Sequence, residues 1–212
     1  LTKSGAAIGT ADNINNSADI LSLLMLQSGA KMISDDGNEA VFDRSITIEG
    51  STYSPGESAL RFYTDFSNPK SGAYSWNNNS PNSFDAFNSG KTAIIFDYLL
   101  SINRIKQASP NLRFGLAGVP QLKDATKDIN YGDFWGYSVP MASKNSENAW
   151  KFLVFLTTHD INKYFSNNVL RPSARRDVLG EQQSSPDLGV FAEAALSATN
   201  WYRVDPVVID DI

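Results

Sequence analysis

Asp97 and Tyr98 follow directly on a continuous apolar run, TAIIF at 92–96. A run of that kind reads as a buried strand with helices over both faces. Asp97 and Tyr98 then stand at its carboxyl end, the edge of an open α/β sheet where ligands bind. A carboxylate there accepts hydrogen bonds from hydroxyl groups, and a tyrosine adds a flat ring and one donor. The alternative is an ordinary helix–strand unit of a core. Asn13 and Asn16 sit in the polar turn ADNINN at 11–16. Amides donate and accept at once, which suits a hydroxyl-rich ligand. Their plainer role is to form turns and caps. Trp76, with Tyr74, lies in the Asn-, Ser- and Pro-rich loop 68–82, and Trp135 stands between Gly132 and Gly136. Rings in polar loops stack on the C–H faces of sugars, or plug the loop onto the core.

The residues give less support to bond-breaking chemistry. A glycoside hydrolase needs two positioned carboxylates. Asp85, Asp97 and Asp133 are available, but their spacing singles out no pair. The one histidine, His159, has no Ser, Cys or Asp partner recognisable from spacing and reads as a surface residue at a helix start. Cysteine is absent, so thiolate metal sites, cysteine nucleophiles and disulfides are excluded. The acidic turn DDGN at 35–38 lacks the ligand spacing and terminal glutamate of a calcium loop. No metal or cofactor is implied.

These side chains need elements to hold them. Residues 6–10 read as a strand. Ser17 is the expected cap of a helix over 18–27, apolar almost all round and therefore buried. Residues 35–38 form a hairpin tip. Pro55 opens a helix. Phe84 and Phe87, three apart, place two rings on one helical face, and Gly90 fits the left-handed C′ position that ends it. A short helix follows over 101–108, stopped by Pro110, and 112–118 reads as a further strand. Ser146 is the expected cap of a helix to 157, and a second short helix covers 158–165. A last helix spans 187–198, followed by Trp201 and an acidic end. Trp201 would reach a cleft or close a hydrophobic groove.

The 212 residues suffice for one large or two small domains. Net charge is −5, with Lys and Arg scattered, which argues against nucleic acid and against a polybasic membrane patch. No apolar run reaches the length of a membrane span. The opening Leu1-Thr2-Lys3 leads straight into strand-like sequence, so the numbering is expected to begin inside a longer precursor.

Phe87, Gly90, Lys91, Ala93 and Ile94 spell F-x-x-G-K-x-A-I ahead of the apolar strand. That pattern resembles the extracellular solute-binding proteins of ABC importers, of the maltose- and oligosaccharide-binding type. Further segments fall in that family's order: AAIGTADN, DILSLLMLQSGA and ESALRFYTDF before the motif, then LRFGLAGVPQ, YGDFWGYSVPMASKN, ENAWKFLVFLTT and LRPSARRDVL. The resemblance implies an α/β fold of the periplasmic-binding-protein type II kind, two lobes exchanging strands, with the N-terminal part of the first lobe missing. Residues 1–137 would form most of the C-terminal lobe, 138–179 would cross to the N-terminal lobe, and 180–212 would return. It further implies capture of a carbohydrate or other small polar solute and delivery to permease subunits. The protein would be a monomer outside the cytoplasm, anchored as a lipoprotein. Asn13, Asn16, Trp76, Asp97, Tyr98, Trp135 and Trp201 are the expected ligand residues. Arg171 joins them from a turn like the family's L-P-x-R, although here Arg precedes Pro. A glycoside hydrolase and a single-lobe scaffold are the alternatives.

Overall fold

A computed structural model describes residues 3–48, 50–123 and 125–201. Its centre is a parallel pair. Strand β1 (Ser4–Ala6) lies beside β4 (Thr92–Ile94), with Ser4 opposite Thr92 and Ala6 opposite Ile94. Between them come helix α1 (Ser17–Gln27), a hairpin of β2 (Ile46–Ile48) and β3 (Ser51–Tyr53), and helices α2 (Pro55–Asp65) and α3 (Ser83–Asn88). Helix α4 (Ser101–Ala108) follows, then β5 (Asn130–Tyr131), α5 (Ser146–Leu156), α6 (His159–Asn168), α7 (Arg176–Gln182) and α8 (Gly189–Leu196). A last strand, β6 (Ala198–Thr199), pairs in parallel with β5.

The core sits where α1, α2 and α3 meet β1. Ala7, Ile8, Ile14, Ile20, Tyr63, Trp76 and Ala86 form one buried cluster, and Met25, Ala30, Met32 and Ala59 a second. Local chemistry explains the boundaries. Pro55 occupies the first turn of α2, where its missing N–H costs nothing. Asn82 caps α3 by accepting from Phe84 N–H. Gly90 takes φ +68° past the end of α3, the left-handed conformation expected of it. Ile33 and Ala40 bridge across the 35–38 turn, as a hairpin tip requires.

Several expectations need correction. The first strand is Ser4–Ala6, not 6–10. The cap of α1 is Asn16, with φ +58°, and not Ser17, whose hydroxyl donates to Ala11 O at 3.0 Å. Asn145, not Ser146, takes the cap position of α5. On α3 the fully buried face is Ser83 and Ala86; Phe84 lies beneath the Arg104 guanidinium and Phe87 packs edge-on against Phe114. Strand β4 is shorter than 92–96, and only Thr92 of its three residues is buried, with Ala93 exposed and Ile94 52% exposed. An apolar run therefore marked a strand facing a cavity, not one sandwiched by helices. Residues 112–118 form no ladder with another segment of the described chain, although burial alternates along them as in a strand. The 187–198 helix ends at Leu196, and its last residues enter β6. The structure adds the hairpin β2–β3 and helix α7 to the expected elements. The acidic end lies outside the described residues.

Candidate ligand site

A cavity of roughly 730 Å³ opens along the free side of β4. Ile20 and Leu23 of α1, Ile94 and Phe96, the extended segment 112–120, and Phe191 of α8 give it an apolar lining. One part is polar and aromatic: Asn16, Asp19, Asp97, Tyr98, Asn130 and Tyr131 all reach it.

This polar end is built from two chain turns. Asn16 adopts a left-handed conformation that asparagine tolerates better than most residues. Its backbone carbonyl accepts from Ile20 N–H at 2.9 Å, opening α1. Its side-chain Nδ2 is thereby free to donate to Asp97 Oδ1 at 3.1 Å. The same Asp97 oxygen accepts Tyr98 N–H at 2.7 Å. Asp97 Oδ2 and Asn16 Oδ1 have no protein donor among the described residues, and each is an open acceptor. The Tyr98 hydroxyl donates to Asp19 Oδ2 at 2.8 Å. Burial first, then this bond and the Asp19 charge, push the phenol well above its ordinary value, so it stays a neutral donor. Neutral donors thus hold one oxygen of each of the two carboxylates.

The eight expected ligand residues are dispersed. Asn16, Asp97 and Tyr98 line the cavity together. Asn13 is spent internally: Nδ2 donates to Asn77 O and Ser80 O, each at 2.9 Å, and Oδ1 accepts from Trp76 Nε1 and Thr10 Oγ1. Trp76 is 3% exposed and is the core plug. Trp201 packs beside the Met25–Met32 cluster, with Nε1 3.4 Å from Ser22 Oγ. Trp135 is 84% exposed, beyond the cavity lining. Arg171 is exposed and also outside it, with its backbone N–H donating to Ser166 O and its carbonyl accepting from Gln182. Sequence reasoning missed Asp19, Asn130 and Tyr131. Asp19 was within reach, because it lies three residues after Asn16, on the same helical face.

A short parallel sheet flanked by helices carries its polar cavity at the strand's carboxyl end, the place where open α/β sheets bind ligands. The profile of bacterial extracellular solute-binding proteins matches residues 1–163, and the chain belongs to that family. Two solved structures share the fold. An ABC transporter solute-binding protein from Thermotoga lettingae, crystallised with α-D-tagatose, is 23% identical with a TM-score of 0.56, over 84% of this chain and 43% of that one. A Synechococcus sp. MITs9220 protein described as an oligosaccharide periplasmic-binding protein is 16% identical with a TM-score of 0.58, over 97% and 53%. Binding proteins of Brucella abortus (strain 2308) and Brucella suis biovar 1 (strain 1330) are 33% identical over 82 residues, which is 39% of this chain and 20% of each relative. The chain therefore spans about half the length of the solved proteins and less of the curated ones. These neighbours are binding proteins rather than enzymes. No helix among the described residues is long and apolar enough to cross a membrane.

Proposed function

We propose that this chain is the sugar-binding part of an ABC importer's extracellular receptor. It captures a carbohydrate, an oligosaccharide in the first instance, and delivers it to the permease. The observation that carries the reading is a pair of acceptors without a protein donor among the described residues, Asp97 Oδ2 and Asn16 Oδ1, on residues that line the β4 cavity in a chain of this family. Sugar hydroxyls are donors of the matching kind. Tyr98 and Tyr131 border the acceptors, and Trp135 adds an exposed ring that can stack on a pyranose. The tagatose in the Thermotoga structure supports a sugar over other polar solutes.

The mechanism is capture. Ligand held between two lobes favours a closed form because it touches both, a population shift set by differential affinity. Residues 1–137 belong to one lobe, 138–179 cross to the other, and 180–212 return. The apolar side chains of α5 and α6 support the crossing. Trp150, Phe152, Val154, Phe155 and Phe165 are all more than half exposed, and α5 buries no residue in the described structure. Such a surface is too apolar to face water alone. The mature protein is a monomer held outside the cytoplasm by a lipid anchor.

Titration with neutral mono- and oligosaccharides, followed by tryptophan fluorescence and product analysis, tests this reading. Saturable binding without cleavage is expected. Asp97→Asn keeps the shape and removes the charge, and it should weaken binding about 10- to 100-fold, the worth of one or two charge-assisted hydrogen bonds. Sugar cleavage that disappears in that variant would instead establish a glycoside hydrolase.

A further inference from the structure

The chain's single histidine, His159, opens α6 where α7 packs on it, and both of its ring nitrogens face carboxylates. Nδ1 of His159 lies 2.8 Å from Asp160 Oδ1, and Nε2 lies 3.1 Å from Glu181 Oε1. A neutral imidazole owns one N–H and one lone pair, so it donates to one carboxylate and turns a lone pair on the other. Only the imidazolium donates to both. The second oxygen of Glu181 takes Lys163 Nζ at 2.5 Å. Glu181 on α7 therefore straddles two cations one helical turn apart on α6, one permanent and one titratable. Asp177 of α7 also faces the ring, and Arg175 holds it in a two-point ion pair while donating to Thr157 O.

We propose that His159 is a pH-sensitive latch between α6 and α7, closed as the imidazolium and released on deprotonation. A second contact keeps the release local. Gln182 is buried, accepts from Ser173 N–H, and donates to Ser166, Asn167 and Arg171. None of those groups titrates in the neutral range, so the helices stay together when the latch opens. Asp160 first, then Glu181, raise the proton affinity of His159 above its ordinary value. They outweigh the unfavourable placement of a cation at a helix N-terminus. The sign follows from that direction. The stabilisation is complete below the unfolded-state value near 6.5, and it is lost as pH rises through the higher folded-state value.

One histidine gives one imidazole resonance pair, so proton–carbon NMR between pH 5 and 9 reads it without assignment. The midpoint should lie above the ordinary imidazole value of 6.5, and both Glu181→Gln and Asp160→Asn should lower it. Hydrogen exchange of α7 amides, corrected for intrinsic rate, should accelerate across the same midpoint, and His159→Gln should abolish that step. A midpoint at or below 6.5 would overturn the latch. So would a raised midpoint with α7 exchange flat across it, since the ring would then titrate without holding anything.

Discussion

Trp76→Ala is expected to lower the unfolding free energy by about 3–5 kcal/mol, the range for truncating a buried tryptophan. The indole is 3% exposed among Ala7, Ile8, Ile14, Ile20, Tyr63 and Ala86, so alanine leaves a cavity that rigid neighbours fill poorly. It also removes the donor at 3.1 Å from Asn13 Oδ1. The two contributions can be separated. Trp76→Phe keeps most of the ring volume and loses the N–H, and it should cost about 1 kcal/mol for the hydrogen bond plus a small packing loss. Urea midpoints, with unchanged denaturant slope, measure both variants. The measurement also decides Trp76's role. A sugar-stacking residue would lose affinity on truncation with stability nearly intact, the opposite of the outcome expected here.

Trp76 shows where sequence reading stops. Its loop has the composition of a ligand loop, and so does the stretch that carries Trp135. One ring is nearly enclosed and the other is 84% exposed. The difference is made by Ser75, whose hydroxyl binds Ala6 N–H at 2.9 Å and Ala6 O at 2.7 Å, pinning its loop to the edge of β1. No local pattern encodes a contact 69 residues away. Asn13 and Asn16 differ for the same reason. Both lie in one polar turn, but the 77–80 carbonyls consume Asn13, while Asn16 turns toward Asp97. What local sequence does encode is punctuation. Pro55 and Gly90 carry their conformational preferences wherever they occur: Pro55 marks the start of α2, and Gly90 marks the end of α3 ahead of the strand that delivers Asp97 and Tyr98 to the cavity. Helix α7 lacked such a signal: Val178 and Leu179 are its only large apolar residues, too few to show a period. The alternation at 112–118 was legible as well, but alternation says nothing of which strand a segment will pair with.

Gly9→Ala is expected to cost about 3 kcal/mol, through two causes that act at once. Gly9 has φ +112°, a conformation an L-residue adopts only under strain, at about 1–3 kcal/mol. A Cβ there would also stand 2.8 Å from Ser67 N and 3.0 Å from Phe66 Cβ. The nearest atom is backbone, at the end of α2, so relief requires the helix end to move, with a cost of the order of other overpacked sites, about 1–3 kcal/mol. Gly29→Ala isolates the first cause. Its φ is +85°, and nothing lies within 4 Å of the added Cβ, so it should cost about 1–2 kcal/mol. The difference between the two urea midpoints then measures the close approach of β1's exit to α2. That approach matters to the site. Just past Gly9, Tyr63 Oη donates to Thr10 O at 2.7 Å, and burial pushes this phenol up to about 12, so it remains a donor. Gly9 and Tyr63 together fix the start of the turn that ends at Asn16. Displacing that start pulls Asn16 Nδ2 away from Asp97. Gly9→Ala should therefore weaken sugar binding as well as stability, whereas Gly29→Ala, at the far end of α1, should spare binding. Equal stability losses for the two variants would mean that α2 yields freely. Asn16 would then owe its position to its own left-handed backbone alone.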